Sequence, residues 1–303
     1  MAMRCGVIAV LLFCAAAAPG TGVPVRAQNA TGWTASIEDV RRTARLIPGA
    51  RPLRINFLKF AESRRTKNFS VKDAPATPSI QARTAFQVIY PDGSVMVDAG
   101  MDLTVHKFFG RGVEEPYFPE AAQQVEQAVR RARLIVVTHE HGDHVAGVIH
   151  TPAAADLAPK TMLTRTQVQT LTSMPQMPEI RLTAELARRF VVVDYERYFP
   201  LAPGMALIKA GGHTPGSQMV YIVLASGREY LLIGDATWHM DGVRLMKGKD
   251  APWVTEDQGA VLDQLTWLNG LSRSAPSLVI IASHDEEQHA EFVQKGVLSN
   301  RLE

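Results

Sequence analysis

Leu134-Ile135-Val136-Val137-Thr138-His139-Glu140-His141-Gly142-Asp143-His144 decides how the rest of this chain is read. The apolar head of the stretch is short, rich in β-branched residues and bounded by charge, which predicts a buried strand. Three imidazoles and the Asp143 carboxylate follow within six residues, at a strand end where loops carry sites. His139 and His141 alternate with Glu140, so an extended backbone puts them on one face, able to chelate one ion. Asp143 and His144 come after the Gly142 turn and point elsewhere, which suits a second ion. Nitrogen and carboxylate ligands without thiolate fit zinc, iron, manganese or nickel. With nine histidines in 303 residues, three within six positions are improbable as an accident of a solvated loop.

The same arrangement recurs along the chain. His213 lies in the loop Gly211-Gly212-His213-Thr214-Pro215-Gly216-Ser217, between two apolar runs. Asp235 closes Tyr230-Leu231-Leu232-Ile233-Gly234, and His284 closes Leu278-Val279-Ile280-Ile281-Ala282-Ser283. One His or Asp at a strand end is usually a cap or a turn residue. Four repetitions of the pattern argue otherwise, because the strand ends of one sheet can converge. Five histidines and two aspartates would suffice for a dinuclear site.

These residues, with Val97-Asp98-Ala99-Gly100 upstream, resemble the metallo-β-lactamase-fold hydrolase superfamily in order and spacing over about residues 53 to 290. The resemblance implies an αββα four-layer sandwich, an α/β fold of two similar halves with two metals at one edge of the sheets. It implies His139, His141 and His213 on the first metal, Asp143, His144 and His284 on the second, and Asp235 bridging them. It also implies a hydroxide shared by two divalent ions, zinc foremost, attacking a carbonyl or phosphoryl group. Asp143 is then the catalytic residue as well as a ligand, orienting the nucleophile or passing a proton. Asp98 is similar to the carboxylate that fixes a ligand histidine's tautomer; a turn-forming Asp before Ala99-Gly100 is the equal alternative. Asp235-Ala236-Thr237-Trp238 and His284-Asp285 resemble the branch of quorum-quenching N-acyl homoserine lactonases, although Trp238 stands where that branch commonly carries Tyr. Trp238 and His239 are the candidate substrate contacts, with His239 a candidate proton donor in place of the phenol.

The leading expectation is an exported dinuclear-metal hydrolase acting on a lactone or related ester. The alternatives are an all-His β-lactamase, a thioesterase like glyoxalase II or a phosphodiesterase, and a non-catalytic metal-binding protein. No obvious basic cluster stands beside the motif to take glutathione or a nucleic-acid arm, so a small-molecule substrate and no nucleic-acid partner are expected.

The N-terminus predicts export. Met1–Arg4 is basic, Val7–Ala18 is apolar and too short to span a bilayer, and Val25-Arg26-Ala27 offers small residues for cleavage. Residues 1–27 are therefore expected to be a signal peptide, and the mature protein to be periplasmic or secreted with no stable membrane association. Cleavage removes Arg4 and Arg26, so 32 basic residues become 30 against 30 acidic ones and the net charge falls from +2 to zero. It also removes Cys5 and Cys14, the only cysteines, leaving neither disulfides nor a thiolate ligand. That excludes the β-lactamase subtype with Cys on its second metal.

Residues 28–50 are poorly periodic and predict an N-terminal extension or linker before one domain over 51–303. Strands are predicted over 53–60, 84–98 with a hairpin at Asp92-Gly93, 161–164, 190–193, 205–209, 218–225, 229–234 and 277–282. Helices are predicted from Pro119 to Arg131, in pieces over 165–189, over 257–271 and from about Asp285. His106–Arg111 and the Met-rich Met174–Pro178 are read as loops beside the substrate cleft.

Overall fold

The computed structural model describes residues 32–303, which form one compact unit. The signal segment expected over residues 1–27 lies outside the described residues. Six strands, β1 (Arg54–Thr66), β2 (Pro78–Tyr90), β3 (Gly93–Val97), β4 (Leu134–Val136), β5 (Thr161–Thr164) and β6 (Val191–Val193), build the first sheet. Five more, β7 (Tyr198–Ala202), β8 (Met205–Lys209), β9 (Gln218–Val223), β10 (Glu229–Leu232) and β11 (Leu278–Ile281), build the second. A short β12 (Ser299–Asn300) returns to the first, giving the orders β12-β1-β2-β3-β4-β5-β6 and β11-β10-β9-β8-β7.

Alternation along the strands explains the layering. In β3, Val95 and Val97 face the second sheet, where they join Val136, Leu207, Val220, Leu232 and Ile281 in the central core. Met96, between them, faces the other way and packs with Ile135 on Val125 and Val129 of the helix Pro119–Arg131. The second sheet does the same: Ile208, Tyr221 and Leu231 meet Val261, Leu265 and Leu268 of the helix Gln258–Ser274. Helices thus cover the outer face of each of two packed sheets, the expected αββα sandwich.

Parallel pairing then positions the ligand-bearing loops. β3 pairs parallel with β4, and β10 with β11, so Asp98, the His139–His144 stretch, Asp235 and His284 all leave the same ends of their strands. The sheets are joined at that edge by Gln218, whose backbone N–H donates to Thr138 O at 2.8 Å and whose side chain donates to Val137 O at 2.7 Å.

The structure departs from the sequence reading at several elements. Residues 37–43 of the segment expected to be an extension form a helix capped by Ser36, with Ile37 and Val40 buried in the second sheet's outer core. β7 was not predicted, because Pro200 interrupts its pattern; it is an edge strand, where a missing N–H is tolerated. β1 and β2 extend well past the apolar runs as a paired polar arm, from Glu62↔Ala82 to Thr66↔Pro78. Residues 103–110 form a helix capped by Asp102, rather than a loop, and Arg111 ends it in the left-handed conformation.

Candidate metal centre

Thr138 and His139 leave the end of β4, and His141 is the N-cap of the helix Gly142–Ile149, so Asp143 and His144 sit in that helix's first turn. Gly147, on the same helix, lets it approach the Asp98 loop closely: a Cβ there would lie 2.1 Å from Ala99 O. All seven candidate ligands are buried or nearly so, and their ligand atoms fall into the groups His139/His141/His213, His139/His144/Asp235 and Asp143/His144/His284.

Within the first group His141 Nδ1 lies 3.2 Å from His139 Nε2 and 3.1 Å from His213 Nε2. In the last, His144 Nε2 lies 3.4 Å from both His284 Nε2 and Asp143 Oδ2, and His284 Nε2 lies 3.5 Å from Asp143 Oδ2. Asp235 spans the two. Its Oδ2 is 3.1 Å from His284 Nε2, 3.5 Å from His213 Nε2 and 3.7 Å from His139 Nε2, and its Oδ1 is 3.5 Å from His144 Nε2. Tetrahedral zinc with bonds near 2.0–2.1 Å needs neighbouring ligand nitrogens about 3.3 Å apart. The observed edges match, and the buried Asp235 Oδ1 has no hydrogen-bond donor. The residues present therefore fit a pair of divalent ions.

Several of the candidate ligands are oriented from behind. Asp98 accepts from Thr138 N at 2.7 Å and holds His144 Nδ1 at 2.8 Å, turning His144 Nε2 into the centre. It does so from a left-handed backbone, φ 65°, which Asp tolerates better than most residues. Glu256 Oε2 holds His213 Nδ1 at 3.0 Å and is itself paired with the wholly buried Lys249 at 2.9 Å. Lys249 Nζ also donates to Asp235 O at 2.7 Å. Glu140, between the first two histidines, faces away from them. It accepts from Thr214 Oγ1 at 2.8 Å and Gly216 N at 3.1 Å, clamping the His213 loop onto the motif. Arg83, on β2 next to the polar arm, pairs with Asp143 and stacks on Phe109 at 4.7 Å.

Burial and these neighbours set the proton affinities of the metal-free site. Burial pushes His141 down to about 4. Burial, then the Lys249 charge, push His213 well below its ordinary value, and burial with the His144 charge does the same to His139. His144 goes the other way: burial opposes protonation, but the Asp143, Asp98 and Asp235 carboxylates together hold it well above. Burial would raise Asp143, yet the Arg83 and His144 charges keep it well below the carboxylate range. Asp235 is likewise held down, by His284, His139 and His144 against burial. Three histidines are thus ready to bind a cation at neutral pH without proton competition, whereas His144 must lose a proton first.

The group opens into a cavity of about 350 Å³ whose lining includes His141, Asp143, His213, Asp235 and Trp238. Trp238 is at the site as expected, but its Nε1 donates to Asp235 Oδ2 at 2.8 Å. His239 is not among the cavity's lining residues: it is the N-cap of the helix Met240–Leu245, and its Nδ1 accepts from Asp241 N at 3.0 Å. In the His106–Arg111 segment, Phe108, Phe109 and Arg111 line the cavity, while His106 is buried against Glu115 O. Met174 stands exposed in the cavity wall and Met177 packs into the core. The expectation of no basic cluster also needs correction, since Arg65, Arg83 and Arg111 all line the cavity.

Comparison with known proteins places this geometry. Residues 83–284 match the family model of the metallo-beta-lactamase superfamily. No curated protein matches the chain. Among solved structures, an N-acyl homoserine lactone hydrolase with the product N-hexanoyl-L-homoserine at its catalytic metal centre superposes with a TM-score of 0.63 at 17% identity, covering 80% of this chain and 96% of that one. A mutant of AiiA from B. thuringiensis, with N-decanoyl-L-homoserine at its active site, gives a TM-score of 0.63 at 17% identity over 80% and 96%. AidC, a dizinc quorum-quenching lactonase, gives 0.51 at 12% identity over 78% and 91%. With the family matched across both sheets and every ligand-bearing loop, the chain belongs to the metallo-β-lactamase superfamily.

Proposed function

We propose that this metal-dependent hydrolase opens a lactone or cleaves a related carboxylic ester; His139/His141/His213 and Asp143/His144/His284, with Asp235 between them, would hold two divalent ions that would supply an activated hydroxide. The observation that carries the reading is the fit of both triads and of Asp235 to the edges of two adjoining coordination shells, open to one cavity. Ions bound there would lower the pKa of the attacking water and polarise the carbonyl.

The chain's own residues favour an oxyester. Asp143, tied to Arg83 and kept ionised, can orient a nucleophile but holds no proton to give. Trp238 commits its single N–H to Asp235. An amide nitrogen usually needs a proton on departure, whereas an alkoxide can leave as an anion stabilised in place. The product named in two of the neighbouring structures, an acyl homoserine, supports the same substrate class. Zinc is the proposed metal, and export through cleavage after Ala27 the proposed route. N-terminal sequencing of the secreted protein should read from Gln28; a start elsewhere or a membrane-retained product refutes the route.

The experiment for the activity is a hydrolysis screen of the metal-loaded protein over lactones, β-lactams, thioesters and phosphodiesters. Turnover of lactones or oxyesters with weak β-lactam cleavage is expected. Penicillins or carbapenems cleaved far faster than any lactone would overturn the proposal.

A further inference from the structure

Three arginines line the cavity, and two of them are spent. Arg65 forks onto Glu115, with a further donation from its Nη2 to Phe109 O at 2.7 Å. Arg83 is paired with Asp143. The carboxylates among the lining residues are Glu140, Asp143 and Asp235, each already engaged, by Thr214 and Gly216, by Arg83, and by Trp238. Arg111 has no acidic partner among the described residues, and its guanidinium instead lies 4.4 Å from the centre of the Trp253 ring. Trp253 is itself fixed by Phe69, at 5.0 Å between ring centres, and by Arg65 at 5.8 Å on the guanidinium carbon.

Arg111 also occupies a backbone conformation that its side chain does not favour. It ends the helix Leu103–Gly110 at φ 52°, ψ 43°, the left-handed position that Gly or Asn usually takes. A planar guanidinium stacked on an indole presents its N–H edge outward in a fork matching a carboxylate or phosphate. Arg111 is exposed to the solvent of the cavity, and partial burial with the neighbouring Arg65 charge pushes its pKa down.

We infer that the substrate carries an anionic group, a carboxylate or phosphate, which Arg111 stacked on Trp253 binds at a point of the cavity away from the reacting carbonyl. This deepens the hydrolase reading and rests on it for the carbonyl end. The anion contact sets KM, while the metal centre sets the chemical step.

The test uses matched phenyl esters and the metal-loaded protein. Phenyl hydrogen glutarate and phenyl 4-phosphonobutanoate are the two anionic arms, and methyl phenyl glutarate is the neutral one. Wild-type protein should favour an anionic arm by about tenfold in kcat/KM. Arg111→Met should erase that preference through KM, bringing the anionic arms down to the neutral ester, and Arg111→Lys should restore part of it. The faster anionic arm identifies the source of the charge. Calorimetry supplies a readout independent of turnover. Dicarboxylates from succinate to suberate should lose about tenfold in affinity in Arg111→Met, while butyrate, with one carboxylate for the metals, binds both proteins alike. Equal dicarboxylate binding by wild type and Arg111→Met, with the neutral ester cleaved as fast as the charged ones, overturns the inference. Arg111-dependent dicarboxylate binding without turnover of any ester would sustain the anion site and refute the hydrolase reading instead.

Discussion

Replacing Lys249 by Met tests how the centre is supported from within. Lys249 is wholly buried, and its ammonium neutralises Glu256, whose side chain is only 1% exposed. Met fills a similar volume but leaves Glu256 facing His213 alone, with Oε1 still lacking any donor. It also releases Asp235 O, which Lys249 holds at 2.7 Å. Removing one partner of a buried ion pair costs about 3–5 kcal/mol, because the other charge stays desolvated. For a chain of this size that corresponds to a fall in Tm of roughly 6–20 °C. Urea unfolding at neutral pH with chelator present isolates this cost from metal binding, and an unchanged m-value would show that the unfolded state is the same. Neutralising both partners, as Lys249→Met with Glu256→Gln, should recover more than half of the loss. A single variant destabilised by less than about 1 kcal/mol, or a double variant no better than the single, would refute the reasoning.

The remaining predictions follow from the same contacts. Asp98→Asn should weaken metal binding at the His144 side by about 10- to 100-fold in a chelator competition, while leaving the His139/His141/His213 side close to wild type. Elemental analysis should return two metals per chain for the wild type and fewer for Asp235→Ala or His284→Ala. The metal-free protein should lose stability between about pH 6.5 and pH 4. There the unfolded chain protonates its histidines, whereas burial keeps folded His141 and His289 neutral down to about 4. Stability is thus full above the unfolded pKa and falls with pH, by roughly 3 kcal/mol per histidine; a flat chemical-denaturation midpoint across that window would contradict it. Gly216→Ala should destabilise sharply and weaken metal binding, since its Cβ would lie 2.6 Å from Glu140 Oε2 and 2.5 Å from Gln167 Cγ.

What the sequence revealed and what it withheld divide along a physical line. The candidate ligand cluster was legible because rare metal-type residues stand at or just past strand ends, as at His139, His213 and His284. The sandwich was legible because β3, β9 and β10 are buried enough to read as apolar runs. The outer arm of β1 and β2 was hidden because Glu62, Arg64 and the adjoining Arg83 serve ion pairs rather than a core, and polar strands lack an alternating signature. Lys249, Glu256 and Glu140 were missed for a related reason. A buried charge is defined by its partner, and these partners sit 7 to 76 positions away in the chain. The capping role of His239 was also hidden, because the turn into the helix Met240–Leu245 has no signature at that position.

The candidate ligands are drawn from both sheets, so a metal held there would also act as a tether. His144 and His284 stand 140 residues apart in the chain, and residues 32–303 contain no cysteine to cross-link it covalently. An ion gripping both closes a loop longer than most disulfides do, a constraint on the unfolded chain of about 4–5 kcal/mol by the same loop-closure reasoning. Metal withdrawal would therefore remove more than a reactant: it would unlatch the helix-backed halves at the edge where Glu140 and Gln218 are left to hold them. Proteolysis of the stripped protein should begin at that seam, so metal supply governs how long the molecule survives as well as whether it works.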